Sequence, residues 1–511
     1  MELISVATTT YSLVAGIFIL ILFVIVKKKN NNKLALPPGP PGWPVIGNLH
    51  QLGDKPHQSL FHLAQKYGPL MTLKLGMKTV LVVSSPSMAN EVLKINDQSF
   101  SSRTVNIAVK TFTYQGSSLV WSPIGPIWRL IRKICNTEIF SAKRMDAMQH
   151  FRREEVCRTI DTILEDYKEG KSVTICEKAF MISLNLIGKM VCNKQIFEPG
   201  SAQAAEFRDM VLGILKSIPL PNISDHFPFL ERFDLQGLNR KNKRLARRFD
   251  NLFDRIINER LAQRVHVQCN GNGNEEMDFL DVMLDLAKDS QLTLENIKGT
   301  LLDIFVAGTD TTSSTIEWAM AELIRKPALM RKVQAELDEV VGVERRMEEA
   351  DIENLPYFRA VVKEVFRLHP ATPLNIPRKA NKSCEVSGYL VPENTQVLVN
   401  IWAIGRDPTA WKDPLNFNPD RFLECNIDYK GQDFELLPFG AGRRMCIGLP
   451  LAHRLLHLVV GSFLQAFNWS IPLDNGGDID MSEAFGLTLQ KAVPLRAIPS
   501  PRLAMEFYSK K

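Results

Sequence analysis

A cysteine in a glycine-rich loop is the residue whose surroundings most clearly favour chemistry. Residues 439–448 have the sequence FGAGRRMCIG and precede an apolar helix that begins near Leu449. Glycines around Cys446 allow a tight loop whose amides point at the sulfur. Because a helix N-terminus and neighbouring arginines lower the pKa of a thiol, the motif predicts a thiolate that binds a metal or attacks an electrophile. An inert turn cysteine is the plainer interpretation, and a cysteine hydrolase lacks an obvious general base nearby in the sequence.

A second group of polar residues lies in the middle of a long predicted helix. Thr293 is a suitable N-cap, and the helical pattern continues to Arg325 before Pro327 ends it, which gives about 50 Å of helix. Residues 307–312 read AGTDTT, and their glycine, hydroxyls and carboxylate disfavour a regular helix. We therefore predict a locally opened helix with a polar pocket beside it. The alternative is that Asp310 and Thr311 face solvent or cap a kink.

Trp128 and Arg132 form a third motif after a helix-starting proline. They stand at i and i+4 and therefore share a helix face. An aromatic ring beside a guanidinium suits a planar apolar ligand with a carboxylate tail, whereas surface packing is the alternative interpretation.

Glu364 and Arg367 form a fourth motif, at i and i+3 on a predicted helix. A pair of this kind is usually a surface salt bridge of little energetic value. A buried pair needs further partners, and Arg421, in the sequence PDRF at residues 419–422, is the candidate third member.

The rest of the sequence predicts one mostly helical body that carries these motifs. Apolar residues make up 45% and charged residues 23% of the chain, which argues against a disordered, collagen-like or many-pass membrane protein. The net charge of +6 is small for a dedicated nucleic-acid binder. Residues 70–75 and 79–83 are predicted as a hairpin around Gly76, strand-like stretches are otherwise few, and residues 268–275 are predicted as a surface loop within a single domain.

The amino-terminal residues are predicted to anchor this body to a membrane. Residues 4–26 contain no charged side chain, and as a helix of about 34 Å they can cross a bilayer. The lysines that follow this span place the remaining chain in the cytosol by the positive-inside rule, and their position argues against a cleaved signal peptide. We predict a transmembrane anchor at residues 1–26, a basic and proline-rich hinge at 27–44 and one domain at 45–511.

The spaced motifs together resemble those of the cytochrome P-450 superfamily, the haem-thiolate monooxygenases. The resemblance covers essentially the whole chain, and the cysteine signature is its most specific part. Residues 402–408 (WAIGRDP) and 485–491 (FGLTLQK) resemble those of plant A-type microsomal enzymes, in particular the geraniol 8-hydroxylase-like group that oxidises terpenoids and its neighbours that oxidise alkaloids. The resemblance implies a mainly α fold with a small β region, tethered to the endoplasmic reticulum by a single span with the catalytic domain on the cytosolic face.

The resemblance also implies roles for individual residues. Cys446 is implied to be the axial ligand of the iron of haem b, with Phe439 and Gly442 in the same cofactor-binding loop. The implied partners of the haem propionates are Arg444, Trp128, Arg132 and Arg378. Asp310 and Thr311 are implied to deliver protons, and Glu364, Arg367 and Arg421 to form a structural network under the haem. The expected lining of the substrate cavity is Ile304, Phe305, Ala307, Asn375, Ile376, Phe485 and Leu487.

The implied reaction is an O2-dependent oxidation of a small lipophilic plant metabolite, an alkaloid or a terpenoid, with a phenolic compound as the alternative substrate. Hydroxylation is the usual outcome, and oxidative coupling or rearrangement are variants of it. The chain after Gly448 is too short for a flavin or nicotinamide domain, and no GxGxxG motif is present, so that NADPH and flavins are expected only through a separate reductase. Arg129, Lys133 and Arg443 are the candidate contacts of that reductase.

Two residues depart from the pattern of plant relatives. Ile447 stands where those relatives commonly carry proline, which affects only the stiffness of the loop. Asn375 lies in an otherwise apolar stretch and is expected either to meet a polar group of the substrate or to bond backbone or water. An O2-independent isomerase or dehydratase, for which a proton relay has no use, and a non-catalytic haem-binding protein are the alternatives from other classes.

Overall fold

The computed structural model describes residues 34–198, 200–270, 277–472 and 478–509. The predicted anchor at residues 1–26 and the first part of the predicted hinge, residues 27–33, lie outside these ranges, as does most of the predicted loop at 268–275. Within the described ranges, every helix is too short or too polar to span a bilayer. The fold is mainly helical with small sheets, as predicted.

Helices account for most of the described chain, and several begin with proline, whose missing N–H costs nothing at a first helical position. In the amino-terminal half they are α1 Pro56–Tyr67, α2 Pro86–Asn90, α3 Ile107–Phe112, α4 Pro126–Glu138, α5 Ala142–Ala147, α6 Gln149–Lys168, α7 Ile175–Cys192, α8 Ala202–Ser217, α9 Ile223–His226 and α10 Leu238–Asn270. In the carboxyl-terminal half they are α11 Phe279–Lys288, α12 Leu294–Arg325, α13 Pro327–Val340, α14 Pro356–Leu368, α15 Ile401–Ile404, α16 Leu449–Ala466 and α17 Met505–Ser509.

The strands are short and form several small sheets. They are β1 Leu70–Leu75, β2 Lys78–Val83, β3 Ser102–Arg103, β4 Val173–Thr174, β5 Arg378–Lys379, β6 Cys384–Val386, β7 Tyr389–Val391, β8 Gln396–Val399, β9 Phe467–Ser470, β10 Glu483–Ala484, β11 Gln490–Lys491 and β12 Arg496–Pro501. The largest sheet has the order β1-β2-β8-β5-β3, with β1 and β2 antiparallel and β2 parallel to β8.

The predicted hairpin is confirmed, whereas the strands late in the chain were missed. Leu70 lies opposite Val83, and Gly76 takes the positive φ of 56° that its turn requires. The missed strands β5 to β12 have two to six residues each, so that no alternating pattern develops within most of them. Their pairing depends on strands distant in sequence, such as β2 beside β8.

The helix α12 crosses the body and is the element that positions the site. Thr293 caps it as predicted, because its hydroxyl accepts from the Asn296 amide while the Asn296 side chain accepts from the Thr293 amide. Most of its residues are buried in one large apolar core that α7, α14 and α16 share with it. At Gly308, an added Cβ would lie 2.5 Å from Cδ1 of Ile187 on α7, so the glycine permits this close packing of the two helices.

Candidate active site

A cavity of about 280 Å³ lies between the middle of α12 and residues 439–448, which we call the cysteine loop. Its lining is mostly apolar. Further walls come from α3, α4, α7 and α8 and from the segments around residues 371–376 and 487–488. An apolar cavity with a few polar groups is typical of a site for a small lipophilic ligand.

The cysteine loop has the tight geometry that its glycines predicted. Gly440 and Gly442 have φ of 66° and 71°, and a Cβ on Gly442 would overlap the carbonyl oxygen of Leu93. The N–H of Cys446 donates to the carbonyl of Phe439 at 3.0 Å, which closes the loop. Phe439 and Cys446 both line the cavity.

The Cys446 side chain opens into the cavity, while the rest of its surroundings is protein. The amides of Gly448 and Leu449 donate toward its sulfur, as predicted, and Arg132 adds a positive charge nearby. Burial is the larger effect and raises the pKa of the Cys446 thiol, whereas the two amides and Arg132 oppose that shift. The expected lowering of the pKa is therefore not found for the protein alone, and binding to a metal cation is what deprotonates a thiol outright.

Buried arginines surround one end of the cavity. Arg103, Arg132 and Arg444 line it, and Arg378 lies directly behind, paired with Arg103 across β3 and β5. The pKa of Arg444 is lowered to about 10, mainly by burial and also by the charges of Arg378 and Arg132, while Asp97 opposes the shift. Among the described residues, Asp97 and Asp303 are the carboxylates that oppose this repulsion. Such a cluster is suited to hold an anionic ligand.

Among the residues that the structure describes, some of the donors in this cluster have no hydrogen-bond partner. Arg444 donates to the carbonyls of Ser101 at 2.9 Å and Ser122 at 2.5 Å, yet its Nη1 has none. Arg378 binds Asp97 at 3.2 Å and the Ala441 carbonyl at 2.9 Å, while its Nε has none. Because an unsatisfied buried donor is costly, the cluster fits the two carboxylates of a haem, whose flat ring suits the apolar walls.

Trp128 supports this cluster from behind and does not line the cavity. Its ring lies 4.7 Å from the Arg444 guanidinium and 5.4 Å from that of Arg132, and its indole N–H donates to the Leu119 carbonyl at 3.0 Å. The shared helix face of Trp128 and Arg132 is thus confirmed, but the indole N–H is already used. Arg103 was missed, because a single arginine in a two-residue strand has no spacing signal.

The predicted local opening of α12 is wrong. The helix is continuous from Leu294 to Arg325. The hydroxyls of Thr309, Thr311 and Thr312 donate to carbonyls four residues earlier, at 2.7 to 3.1 Å, so that the polar side chains are satisfied within a regular helix. Thr311 faces the cavity, together with Ala307 one turn earlier.

Asp310 points away from the cavity, because successive helical residues are rotated by about 100°. Its carboxylate accepts from the hydroxyl of Thr488 and, at 2.7 Å, from the amide of Gln490. Burial raises the pKa of Asp310, and these two donors oppose the shift. Asp310 and Thr311 are therefore neighbours in sequence that face different surroundings.

Five of the residues expected in the substrate cavity line it, and two do not. Ile304, Ala307, Asn375, Ile376 and Leu487 belong to the lining. Phe305 packs instead against Phe207 and Phe253, because one step along the helix turns it into the core. Phe485 stacks on the ring of His57 at 5.4 Å. These positions correct that part of the prediction, since a generic apolar side chain carries no sign of which way it faces.

Asn375 lines the cavity, and its side-chain oxygen bonds the backbone, as one of the two alternatives expects. Its φ of 53° lies in the left-handed region, where asparagine is favoured. Its Oδ1 accepts from the amide of Ile376 at 2.7 Å, which leaves that oxygen engaged.

Asp303 is a cavity residue that sequence reasoning missed. Its Oδ2 accepts from the Val120 amide at 2.7 Å, and burial raises the pKa of its carboxyl to about 7, while that amide and Arg103 act in the opposite direction. Asp303, Ala307 and Thr311 stand at i, i+4 and i+8 and therefore share a helix face. Counting one turn back from Ala307 in the sequence could have identified Asp303 as a cavity residue.

Glu364, Arg367 and Arg421 are brought together as the sequence predicted. Glu364 and Arg367 are fully buried and form two bonds of 2.7 Å, and Arg421 reaches the same carboxylate at 3.2 Å. Arg367 also donates to the carbonyls of Gly405, Pro414 and Asn416. A Cβ at Gly405 would overlap the carbonyl oxygen of Arg367, so this contact requires glycine.

Comparisons with known proteins identify the same family as the sequence motifs of the site. The family model described as cytochrome P-450 matches residues 37–495. Geraniol 8-hydroxylase of Catharanthus roseus is 47% identical over 91% of this chain and 94% of its own length. Flavonoid 3'-monooxygenase of Petunia hybrida is 43% identical over 93% of this chain and 94% of its own. A solved zebra fish cytochrome P-450 with progesterone has a TM-score of 0.73 and 29% identity and covers 88% of this chain and 99% of its own.

This chain belongs to the cytochrome P-450 family. It is therefore a haem-thiolate monooxygenase whose cofactor is haem and whose electrons come from NADPH through a reductase.

Proposed function

We propose that this chain hydroxylates a small terpenoid, with Cys446 as the ligand of the haem iron. The observation that carries the proposal is a sulfur that opens into an apolar cavity beside buried arginines with unpartnered donors. A bound haem supplies the activation of O2. Arg103, Arg132, Arg378 and Arg444 would hold its propionates, and Trp128 supports two of these guanidinium groups.

The remaining predicted site residues deliver protons or support the cofactor site. Thr311 presents its hydroxyl at the cavity, and Asp310 supplies the nearby carboxylate for proton delivery. Glu364, Arg367 and Arg421 hold residues 405–418 in place and so preserve the cofactor site.

A terpenoid substrate is supported by the cavity and by a relative. Ile304, Ala307, Ile376 and Leu487 give the cavity an apolar wall, which favours a neutral hydrocarbon skeleton. The geraniol 8-hydroxylase of Catharanthus roseus is a relative with 47% identity.

An alkaloid is the second candidate substrate, and Asp303 is the observation that favours it. This buried carboxylate lines the cavity, and the Val120 amide donates to its Oδ2. A protonated amine is the ligand that a buried carboxylate would recognise.

The cellular setting is also a proposal. Residues 1–26 anchor the chain in the endoplasmic reticulum, with the catalytic domain on the cytosolic face, because residues 4–26 are uncharged and lysines follow them. Residue 35, a short stretch of sequence after this segment, already belongs to the folded body, since the carbonyl of Ala35 accepts from Leu390 at 2.9 Å. A membrane-bound reductase docks at the exposed side chains of Arg129, Lys133 and Arg443.

Reconstitution with a reductase tests the proposed function. The full chain is incubated with NADPH, O2 and matched panels of terpenoids and alkaloids, and products are identified by mass. We expect NADPH-dependent gain of one oxygen atom on a terpenoid. Oxidation of alkaloids alone would transfer the assignment to the second candidate, and product formation without NADPH would indicate an isomerase or dehydratase.

A further inference from the structure

Residues 486–490, which we call the GLTLQ segment, are fixed against α12. The carbonyl of Leu489 accepts from the hydroxyl of Ser314 at 2.8 Å and from the indole N–H of Trp318 at 3.2 Å. The amide of Leu489 donates to the Ala371 carbonyl at 2.8 Å. The side chains of this segment are therefore held in defined positions over the helix.

Thr488 is the residue of this segment that touches both the cavity and the buried carboxylate. It lines the cavity, and its hydroxyl donates to Oδ2 of Asp310. Asp310 itself does not belong to the lining. Thr311 does, but its hydroxyl donates to the carbonyl of Ala307 at 2.7 Å. The direct contact between the carboxylate and the cavity thus runs through Thr488.

The other side of Asp310 leads toward the surface. Its Oδ1 accepts from Gln490 at 2.7 Å, and Gln490 is partly exposed. The charges of Arg208 and Lys216 also act on this carboxylate, and Lys216 is exposed. Asp310 therefore lies between a basic edge of the protein and the cavity.

We propose that Thr488 passes protons between Asp310 and the cavity. The inference rests on the proposed function. The hydroxyl of Thr488 gives its proton to the oxygen that is reduced in the cavity and takes one from the protonated carboxyl of Asp310, so that the hydroxyl is restored and the carboxyl becomes ionised. Gln490 and the basic edge then mark the side from which Asp310 regains a proton.

The stoichiometry of the reaction shows that the destination of the protons decides between product and peroxide. Hydroxylation follows RH + O2 + 2 electrons + 2 protons → ROH + H2O, and the electrons come from NADPH through the reductase. The competing reaction is O2 + 2 electrons + 2 protons → H2O2. Water forms when both protons reach the same oxygen atom, whereas peroxide forms when each oxygen receives one. A positioned donor that favours the first outcome raises the yield of product per NADPH.

Substitution of Thr488 tests the path in the complete enzyme with its reductase. Thr488→Val removes the hydroxyl, and Thr488→Ser restores it. Thr309→Val is the matched control, because Thr309 is buried beside Asp310 but its hydroxyl donates to the Phe305 carbonyl and does not reach the cavity. We expect product per NADPH to fall on the order of tenfold in Thr488→Val, with matching release of peroxide. This loss is smaller than the roughly 100-fold effect of a directly acting proton donor, because Thr311 still faces the cavity.

A second readout does not depend on turnover. The infrared band of the Asp310 carboxyl, assigned with Asp310→Asn, is titrated in the ferric enzyme without substrate. Loss of a donor to the ionised form raises the pKa of Asp310, so that the Thr488→Val band persists to higher pH than that of the native chain. Thr488→Ser should regain both the native titration and the native coupling.

The outcomes separate this inference from the proposed function. Absence of NADPH-dependent product in the native chain would remove the proposed function itself. Normal turnover with unchanged coupling in Thr488→Val would overturn the path alone. A Thr488→Ser variant as poorly coupled as Thr488→Val would do the same, because the hydroxyl would then not be the active feature.

Discussion

The two sides of the cavity are built in different ways. The cysteine loop forms one side from ten consecutive residues, and its glycines, its amides and Cys446 act within that short stretch. The opposite side combines α7, α12, residues 371–376 and the GLTLQ segment, which are far apart in the chain. On the cofactor side the cysteine loop is thus specified locally, whereas the substrate side and the arginine cluster depend on how distant elements pack. The relatives of this chain include proteins named geraniol 8-hydroxylase and flavonoid 3'-monooxygenase.

The largest effect is expected where the cofactor side depends on a buried ion pair. Glu364→Gln leaves Arg367 and Arg421 without their carboxylate, and breaking a buried pair costs about 3–5 kcal/mol. We expect a corresponding loss of unfolding free energy and little retained haem, measured by thermal unfolding and by absorbance. Glu353→Gln is the control, since its exposed pair with Arg359 is worth about 1 kcal/mol or less. Equal behaviour of the two variants would contradict a supporting role for the network.

The substrate side offers a pH test at Asp303. Its pKa is about 7 in the folded chain, above the ordinary value of 3.8, so that ionisation opposes folding. The contribution of Asp303 to the unfolding free energy therefore falls as pH rises from about 4 to 7 and is constant above, by about 1.4 kcal/mol per pKa unit. Asp303→Asn does not titrate there, so its stability relative to the native chain should increase through that window.

Thermal unfolding from pH 4 to 8 measures this difference. Asp289→Asn removes an exposed carboxylate and serves as the control. A difference between Asp303→Asn and the native chain that does not change with pH would show that Asp303 titrates normally. Loss of activity on alkaloids alone in this variant would sharpen the choice between the two candidate substrates.

A smaller effect is expected at the arginine cluster. Arg444→Leu removes a buried donor set for the propionates, and a hydrogen bond to a charged group contributes about 1.5–3 kcal/mol. We expect haem to be lost more readily to an external acceptor such as apomyoglobin. Arg443→Leu is the neighbouring control, because Arg443 is exposed and does not line the cavity. Equal rates of haem loss would argue against the assignment of Arg444.

The smallest effect on stability is expected at Thr311. Thr311→Ala should keep its haem and its unfolding temperature, because only one hydroxyl bond to Ala307 is lost. NADPH consumption should instead yield more peroxide and less product. Tight coupling in this variant would remove Thr311 from proton delivery and leave Thr488 as the contact to test.

Sequence reasoning succeeded where the information lies within a few residues. The positive φ of Gly440 and Gly442, the cap at Thr293 and the pairing of Glu364 with Arg367 all follow from local spacing. In each case a backbone conformation or a helix turn fixes the neighbours.

The failures arose where the direction of a side chain is set by a distant element. Asp310 turns toward Thr488, which lies 178 residues away, and Phe305 turns toward Phe207 and Phe253. The positions of Arg103 and of the short strands are set by pairing with segments far along the chain. Periodicity gives the faces of a helix but not what each face will meet.

The carbon monoxide spectrum of the reduced protein tests the central claim most directly. The native chain and Cys157→Ala, which changes a cysteine away from the cavity, should both show the absorption of a thiolate-ligated haem. Cys446→Ala should lose that absorption. If Cys446→Ala retained it, another residue would be the ligand and the account of this site would be wrong.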